Sequence, residues 1–292
     1  MPELPEVQTM VTDLKKAIIG RKITGVWIGA PALIKQPTAK KFKKEIMGRK
    51  LLSVGRRGKN ILIELDRDFI LLIHPKMTGH FLLGRFRIRG RGRNETVVGE
   101  INEERNKKDA SYIRLIFYLE NGEGLGLSDV RKFAKVMLFK KSEAAKFLGG
   151  LGIDALEIKY PEFEALIRKN KKPAKPFLMD QSRIAGVGNI YADEILYAAK
   201  VHPLQETSRL SRERIKAIFS AMKEILNKAV RLRGTSVSDF RDIAGREGDY
   251  APRCAVYGRE GEFCPKGDTR IKRITIAGRS SYFCPVEQKL SR

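Results

Sequence analysis

Apolar residues fall at helical spacing from the start of the chain: Leu4, Val7, Val11, Leu14 and Ile18 recur every three or four positions. This predicts an amphipathic helix from Pro2 onward. Its first turn holds Pro2, Glu3, Pro5 and Glu6. Both residue types belong at that end, because proline lacks an amide the helix would leave unbonded and a carboxylate complements the exposed N–H groups. From Asn60 the pattern changes to β. Ile61 to Leu65, Phe69 to Ile73 after the turn Asp66-Arg67-Asp68, and Tyr112 to Leu119 before the turn Asn121-Gly122 read as strands. Strands with few helices between them predict a sandwich or barrel to about residue 140. Gly149, Gly150 and Gly152, and the basic run Arg168, Lys169, Lys171, Lys172, Lys175, bracket a short helical segment that reads as a linker. Helical period then returns. Ile190, Ile195, Leu196 and Ala199 mark one helix, and Ser211 can cap a second that carries Ile215, Ile218, Phe219, Met222, Ile225 and Leu226. From Cys254 the chain reverts to short extended stretches with glycine turns.

The expected class is therefore α+β, with an N-terminal domain over 1–150, a linker over 151–175, a helical domain over 176–250 and a terminal hairpin segment over 251–292. A length of 292 residues allows two domains with cores of their own. Hydrophobic residues at 42% and aromatics at 8% exclude a disordered or collagenous chain. No apolar stretch approaches the ~20 residues of a membrane span, and the acidic start lacks a signal-peptide pattern. A cytoplasmic protein is expected, nucleoid-associated if the source is prokaryotic.

Charge changes the picture most. Lys and Arg number 58 against 34 Asp and Glu, a net +24, and such an excess favours polyanions because each cation on a phosphate releases a counterion. The charge is clustered: Lys35 to Lys59 holds ten Lys or Arg against the single acid Glu45. Arg85, Arg87, Arg89, Arg91 and Arg93 alternate, which aligns them on one face if the segment is extended, although Gly90 and Gly92 equally suit a solvated loop. Nucleic acid is the leading partner class, and a ribosomal or architectural protein satisfies the charge alone. Three cysteines, Cys254, Cys264 and Cys284, are too few for a disulfide framework.

The opening residues suit chemistry as well as helix initiation. Removal of Met1 ahead of a small residue leaves Pro2 as a secondary amine, and an α-amino group titrates near ~8, so a usable fraction is nucleophilic at neutral pH. A helix N-terminus favours the neutral amine, while Glu3 and Glu6 push the other way and can shuttle protons. A secondary amine on a sugar C1′ gives an iminium ion, which acidifies the C2′ proton and opens a route to strand cleavage. The same residues also suffice merely to start a helix.

Three blocks far apart in the chain resemble one family, the formamidopyrimidine-DNA glycosylases. They are Met1-Pro2-Glu3-Leu4-Pro5-Glu6-Val7, then Gly186-Val187-Gly188-Asn189-Ile190-Tyr191-Ala192-Asp193-Glu194, then Tyr257-Gly258-Arg259-Glu260-Gly261 with Gly278-Arg279-Ser280-Ser281-Tyr282-Phe283-Cys284-Pro285. The resemblance implies an N-terminal β-sandwich with flanking helices, a helix–two-turn–helix domain and a β-hairpin finger. It implies a monomer acting on double-stranded DNA that contains oxidised purines or abasic sites, as glycosylase and abasic-site lyase. Within that reading Pro2 is the nucleophile, Glu3 the general acid at the deoxyribose ring oxygen, Glu6 a supporting carboxylate, and Lys59 a phosphate grip beside the lesion. Asn189, ahead of a helix beginning at Ile190, and Arg279 are the other phosphate contacts; Asn189 also reads as an ordinary N-cap. His74-Pro75-Lys76-Met77-Thr78-Gly79 and Asp129-Val130-Arg131-Lys132-Phe133-Ala134 resemble the family loops that fill the hole left by an extruded base. Met77, Arg131 and Phe133 are then the void fillers, with Lys132 beside them on the DNA. The stretch from Gly234 through Tyr250 matches a loop that closes over an oxidised purine, which favours 8-oxoguanine and formamidopyrimidine lesions. A non-catalytic protein that binds damaged or abasic duplex is the alternative.

One departure bears on cofactors. Where many relatives carry C-x2-C-x16-C-x2-C around zinc, this chain reads Cys264, Gly267, Cys284 and Glu287. Structural zinc takes four good ligands, almost always Cys or His, and His74, His80 and His202 lie elsewhere. The expectation is a zincless finger, with no cofactor, packed by Ile271, Ile274, Ile276, Tyr282 and Phe283.

Overall fold

The computed structural model describes residues 2–90, 95–100, 110–236 and 240–290. It divides into two compact units, one of residues 1–149 with 233–249, the other of 150–232 with 250–292. Both differ from the boundaries expected above. Residues 151–175 belong to the second unit and carry a helix, and 233–249 belong with the first.

The first unit runs α1 (Leu4–Ile18), β1 (Ile23–Ile28), β2 (Ile34–Gln36), α2 (Ala39–Ile46), β3 (Leu51–Arg57), β4 (Asn60–Leu65), β5 (Phe69–His74), β6 (His80–Arg89), β7 (Thr96–Glu100), β8 (Ile113–Leu119), β9 (Gly124–Ser128), β10 (Lys135–Lys140) and α3 (Lys141–Leu148). The strands form two five-stranded sheets, ordered β1-β8-β9-β6-β7 and β2-β10-β5-β4-β3. All pairings are antiparallel except β2 with β10. One core draws on both sheets and on the two flanking helices: Phe81, Phe117 and Leu127 from the first sheet, Ile61, Ile63, Ile73 and Val136 from the second, Val7, Val11, Leu14 and Ile18 from α1, Phe42 and Ile46 from α2. The apolar stripe of α1 thus meets the core as its period requires, while Thr12, Lys15 and Lys16 face solvent.

The register fixes what lies at each end of this sandwich. His74 pairs with Lys135 and His80 with Ser128, so both crossings between the sheets, residues 75–79 and 129–134, lie at one end. The β3–β4 turn at Gly58 and Lys59 lies there too, because Ile61 pairs with Ile73. Arg56, just before that turn, donates through Nε to Gln8 on α1 at 2.9 Å, which brings the first turns of α1 to the same end. Arg85, Arg87 and Arg89 do alternate, exposed, along β6 around the buried Phe86; Arg91 and Arg93, and most of the stretch to Lys108, lie outside the described residues.

The second unit runs β11 (Ile153–Asp154), α4 (Tyr160–Arg168), α5 (Ala174–Met179), β12 (Ile184–Ala185), α6 (Asn189–Ala198), α7 (Arg212–Arg231), β13 (Lys272–Ile276) and β14 (Arg279–Phe283). Ser211 caps α7 as expected, its hydroxyl accepting from the Arg214 amide at 3.3 Å. β13 and β14 form the terminal hairpin, turned by Ala277 and Gly278, both at positive φ. Among the described residues, no helix is long and apolar enough to cross a membrane.

Two stability predictions follow from the first unit. Phe42 is fully buried with its ring 6.3 Å from that of Phe117, so Phe42→Ala should lower unfolding free energy by about 3–5 kcal/mol, read from denaturant midpoints at unchanged slope. His74 is held neutral, its pKa lowered to about 3 by burial and then by the ammonium groups of Lys76, Lys59 and Lys135. A base depressed in the folded state favours folding fully above its unfolded value of 6.5 and loses that contribution as pH falls toward 3. His74→Gln should therefore flatten the decline of thermal stability between pH 6.5 and 4, measured as midpoint against pH.

Candidate DNA-repair site

The start of α1 is fixed by its own acids. Pro2, Glu3 and Glu6 are all buried, and Glu6 Oε2 accepts the Glu3 amide at 2.7 Å. Its other oxygen, Oε1, accepts the amide of Thr235 at 2.7 Å. Gly234 precedes that amide at φ +84°, and a Cβ there would lie 2.7 Å from the same carboxylate oxygen, so a glycine is required. The returning segment is secured by Arg233, whose guanidinium donates to Asp13 at 2.6 Å and to Asp242 at 2.7 Å. Asp242, buried, also accepts the amides of Ala244 and Arg246. Val237, Ser238 and Asp239, in the stretch expected to close over a purine, lie outside the described residues.

Lys59 sits in the β3–β4 turn with only 6% of its surface exposed. The turn is closed by Arg56 donating to the Gly58 carbonyl at 2.9 Å and Asn60 to the Arg57 carbonyl at 3.2 Å. Burial and the neighbouring lysines keep His74 from adding a further positive charge beside it. Its Nδ1 instead accepts the Lys76 amide at 3.0 Å and so shapes the loop that carries Met77.

The two crossing loops are laced to each other. The Thr78 hydroxyl donates to Asp129 Oδ1 and accepts the Arg131 amide at 3.2 Å, while Asp129 Oδ2 accepts the Ala134 amide at 2.8 Å. Asp129 is fully buried. Gly79 closes its loop onto the Pro75 carbonyl at 3.0 Å, where a Cβ would stand 2.5 Å from that oxygen. What the loops present is unlike core: Phe133 is 50% exposed, with the Arg131 guanidinium 4.7 Å from its ring centre. Lys132 is exposed at φ +56°, and Met77 is half-buried. Pro2, Glu3, Glu6, Lys59, Met77, Arg131, Lys132 and Phe133 therefore all belong to one end of the first unit.

In the second unit, Gly188 and not Asn189 is the N-cap of α6; Asn189 is its first helical residue. The Asn189 side-chain oxygen is buried and has no hydrogen-bond partner among the described residues, and the turn before it is held by Gln181, which accepts the Gly186 amide at 3.0 Å and donates to the Val187 carbonyl at 2.8 Å. Arg279 is exposed at the start of β14. Asp193 and Glu194, quoted above only as part of a motif, are buried and bonded to the finger. Burial pushes both carboxyls up, Asp193 to about 7, against the pull of Lys175 on Asp193 and of backbone amides on each.

The finger does not fit a four-ligand zinc. Cys264 and Cys284 lie in an apolar cluster with Tyr197, Val256 and Ile271, and the Tyr197 hydroxyl is 3.4 Å from Cys264 Sγ. Gly267 offers no side chain, and Glu287 is paired with Lys200 at 3.0 Å. Among the described residues, no group of three or more His, Cys, Asp or Glu could hold a metal ion.

Residues 1–136 match the family model of the formamidopyrimidine-DNA glycosylase N-terminal domain, and residues 151–241 that of the formamidopyrimidine-DNA glycosylase H2TH domain. A formamidopyrimidine-DNA glycosylase of Pelotomaculum thermopropionicum is 36% identical over 99% of this chain and 100% of its own length. One from Heliobacterium modesticaldum is 34% identical over the same shares. Among solved structures, the Lactococcus lactis Fpg in complex with an abasic site containing DNA superposes with a TM-score of 0.85 at 30% identity, covering 99% of this chain and 100% of that one. The same enzyme with an N7-benzyl-Fapy-dG containing DNA gives 0.85 at 31% identity over the same shares. Family models that match residues 1–136 and 151–241, together with relatives matched from end to end, make this chain a member of the formamidopyrimidine-DNA glycosylase family.

Proposed function

We propose that the protein is a base excision repair enzyme that removes oxidised purines, 8-oxoguanine and formamidopyrimidines, from double-stranded DNA and then cleaves the strand at the abasic site. The observation that carries this reading is the gathering, at one end of the first unit, of a carboxylate-held chain start, a buried lysine and two laced loops that expose an arginine and a phenylalanine. The relatives bound to abasic and formamidopyrimidine DNA support the choice of ligand.

In the proposed sequence, removal of Met1 frees the Pro2 amine, which attacks C1′ of the damaged nucleotide as the bond to the base breaks. Glu3 protonates the ring oxygen O4′, opening the sugar to an iminium ion on Pro2 nitrogen. Loss of a C2′ proton and departure of the 3′ phosphate give β-elimination; a second loss releases the 5′ phosphate, and water then hydrolyses the iminium. Lys59 holds a phosphate beside the lesion. Met77, Arg131 and Phe133 occupy the space vacated by the extruded base, which offsets part of the unstacking cost. Asn189 and Arg279, on the second unit, hold phosphates of the same DNA, and Lys132 adds to that attraction.

Glu3→Gln tests the acid. General acid–base groups contribute about 10²–10⁴-fold, so base excision from an 8-oxoguanine duplex should fall by at least about 100-fold. A preformed abasic site, which has no base to expel and whose hemiacetal ring opens to the aldehyde without the enzyme, should be cleaved with a much smaller loss. Both are read on denaturing gels. Excision by Glu3→Gln at the parent rate would contradict the assignment.

A further inference from the structure

The finger of this chain must hold Arg279 in place without the four ligands that a zinc would need, and the hydrogen bonds show what holds it. Glu194, 3% exposed on α6, accepts three consecutive amides of the segment leading into the finger: Ala255 at 2.7 Å, Val256 at 3.0 Å and Tyr257 at 2.9 Å. Its neighbour Asp193, 1% exposed, accepts the Tyr282 amide on β14 at 3.0 Å and pairs with the Lys175 ammonium at 2.8 Å. That ammonium, equally buried, donates to the Ser280 carbonyl at 2.6 Å. The two consecutive carboxylates therefore grip the chain where it approaches the finger and again on β14 at Tyr282, three residues from Arg279, while Lys175 holds Ser280, one residue from it.

We infer that Asp193 and Glu194 substitute for the metal as positioning residues for Arg279, with Lys175 as the link to the arginine's own strand; this rests on the reading of Arg279 as a phosphate contact. A carboxylate taking three consecutive amides fixes the direction of three backbone N–H groups in the segment that leads into the finger. Charge-assisted bonds in a dry site are among the stronger ones a protein makes. The remaining thiols need no metal, since Cys264 and Cys284 are packed with Val256 and Ile271 as apolar side chains. The far side of the finger is closed in the same manner. Gln288, 1% exposed, accepts the Cys284 amide and donates to the Val201 carbonyl, each at 2.9 Å.

The test uses the full-length protein purified without added zinc and a duplex carrying a tetrahydrofuran abasic analogue. Removing one partner of a buried hydrogen bond is worth about tenfold. Glu194→Gln and Asp193→Asn should each weaken duplex affinity about tenfold, Arg279→Ala at least as much, and Asp193→Asn should add less than twofold to Arg279→Ala. Because a lone buried Lys175 could unfold the single variant, the pair is also removed together as Lys175→Met with Asp193→Leu. That variant should keep the parent's thermal transition yet still bind about tenfold more weakly, since Ser280 and Tyr282 have lost their partners. Zinc content should be well below one per chain, and chelators should leave binding unchanged. Losses from Asp193→Asn and Arg279→Ala that multiply, parent-like binding by the apolar pair, or stoichiometric zinc whose removal abolishes binding would each overturn the positioning role. Parent-like binding by Arg279→Ala would overturn the phosphate reading, and the positioning role with it.

Discussion

A chain end is the least ordered part of most proteins, and a mechanism that uses the terminal amine must first immobilise it. Here that constraint falls on the Glu6 carboxylate. One oxygen holds the Glu3 amide and the other the Thr235 amide, both at 2.7 Å, so the start of α1 and a segment 229 residues later share one anchor. Much of the first unit serves this bond. The apolar stripe of α1 seats the helix on the core, Gly234 lets the returning backbone approach, and Arg233 fastens that segment to Asp13 and Asp242. A buried carboxylate left unpaired would be costly, and its two amide partners make an ordered chain start and a satisfied Glu6 the same condition.

The same economy recurs elsewhere. Asp129 holds both loops that cross between the sheets, and the Asp193–Glu194 pair holds the finger at two places. In each case a buried acid takes bonds from separate stretches of chain, while Arg131, Phe133 and Arg279, the side chains proposed to meet DNA, stay exposed. The +24 charge thus has two parts. Lys175 is internal and paired, Arg233 is half-buried and paired, and Lys59 is buried in its turn; the other part lies exposed, as with Arg85, Arg87 and Arg89 on β6.

What could be read from the sequence was what is local. α1 and α7 follow from a single period, because each buries one face against a core, and β4 and β5 follow from short apolar runs bounded by turn residues. The end-of-strand position of His74 and the exposure of Phe133 needed the register, and the candidate residues themselves were located by resemblance to a family, not by spacing. The anchors were invisible. Thr78 and Asp129 are 51 residues apart, Glu6 and Thr235 229 apart, Asp193 and Tyr282 89 apart, and no local pattern links them. The sequence places Lys175 only in a basic run at the edge of a linker, yet it is 1% exposed, because composition cannot tell a solvated lysine from one paired inside a fold. Asn189 was expected ahead of its helix and instead begins it, since Gly188 has the extended backbone that a cap requires.

The central claim is that the amine of Pro2, freed of Met1, forms the covalent link to the damaged sugar. It is tested most directly by reducing the protein with borohydride in the presence of an 8-oxoguanine duplex and mapping the adduct by peptide mass spectrometry. One stable adduct per chain is expected, on the peptide beginning at Pro2, from protein that has lost Met1 and none from protein that retains it. An adduct on a lysine peptide, or equal trapping by chains that keep Met1, would contradict it.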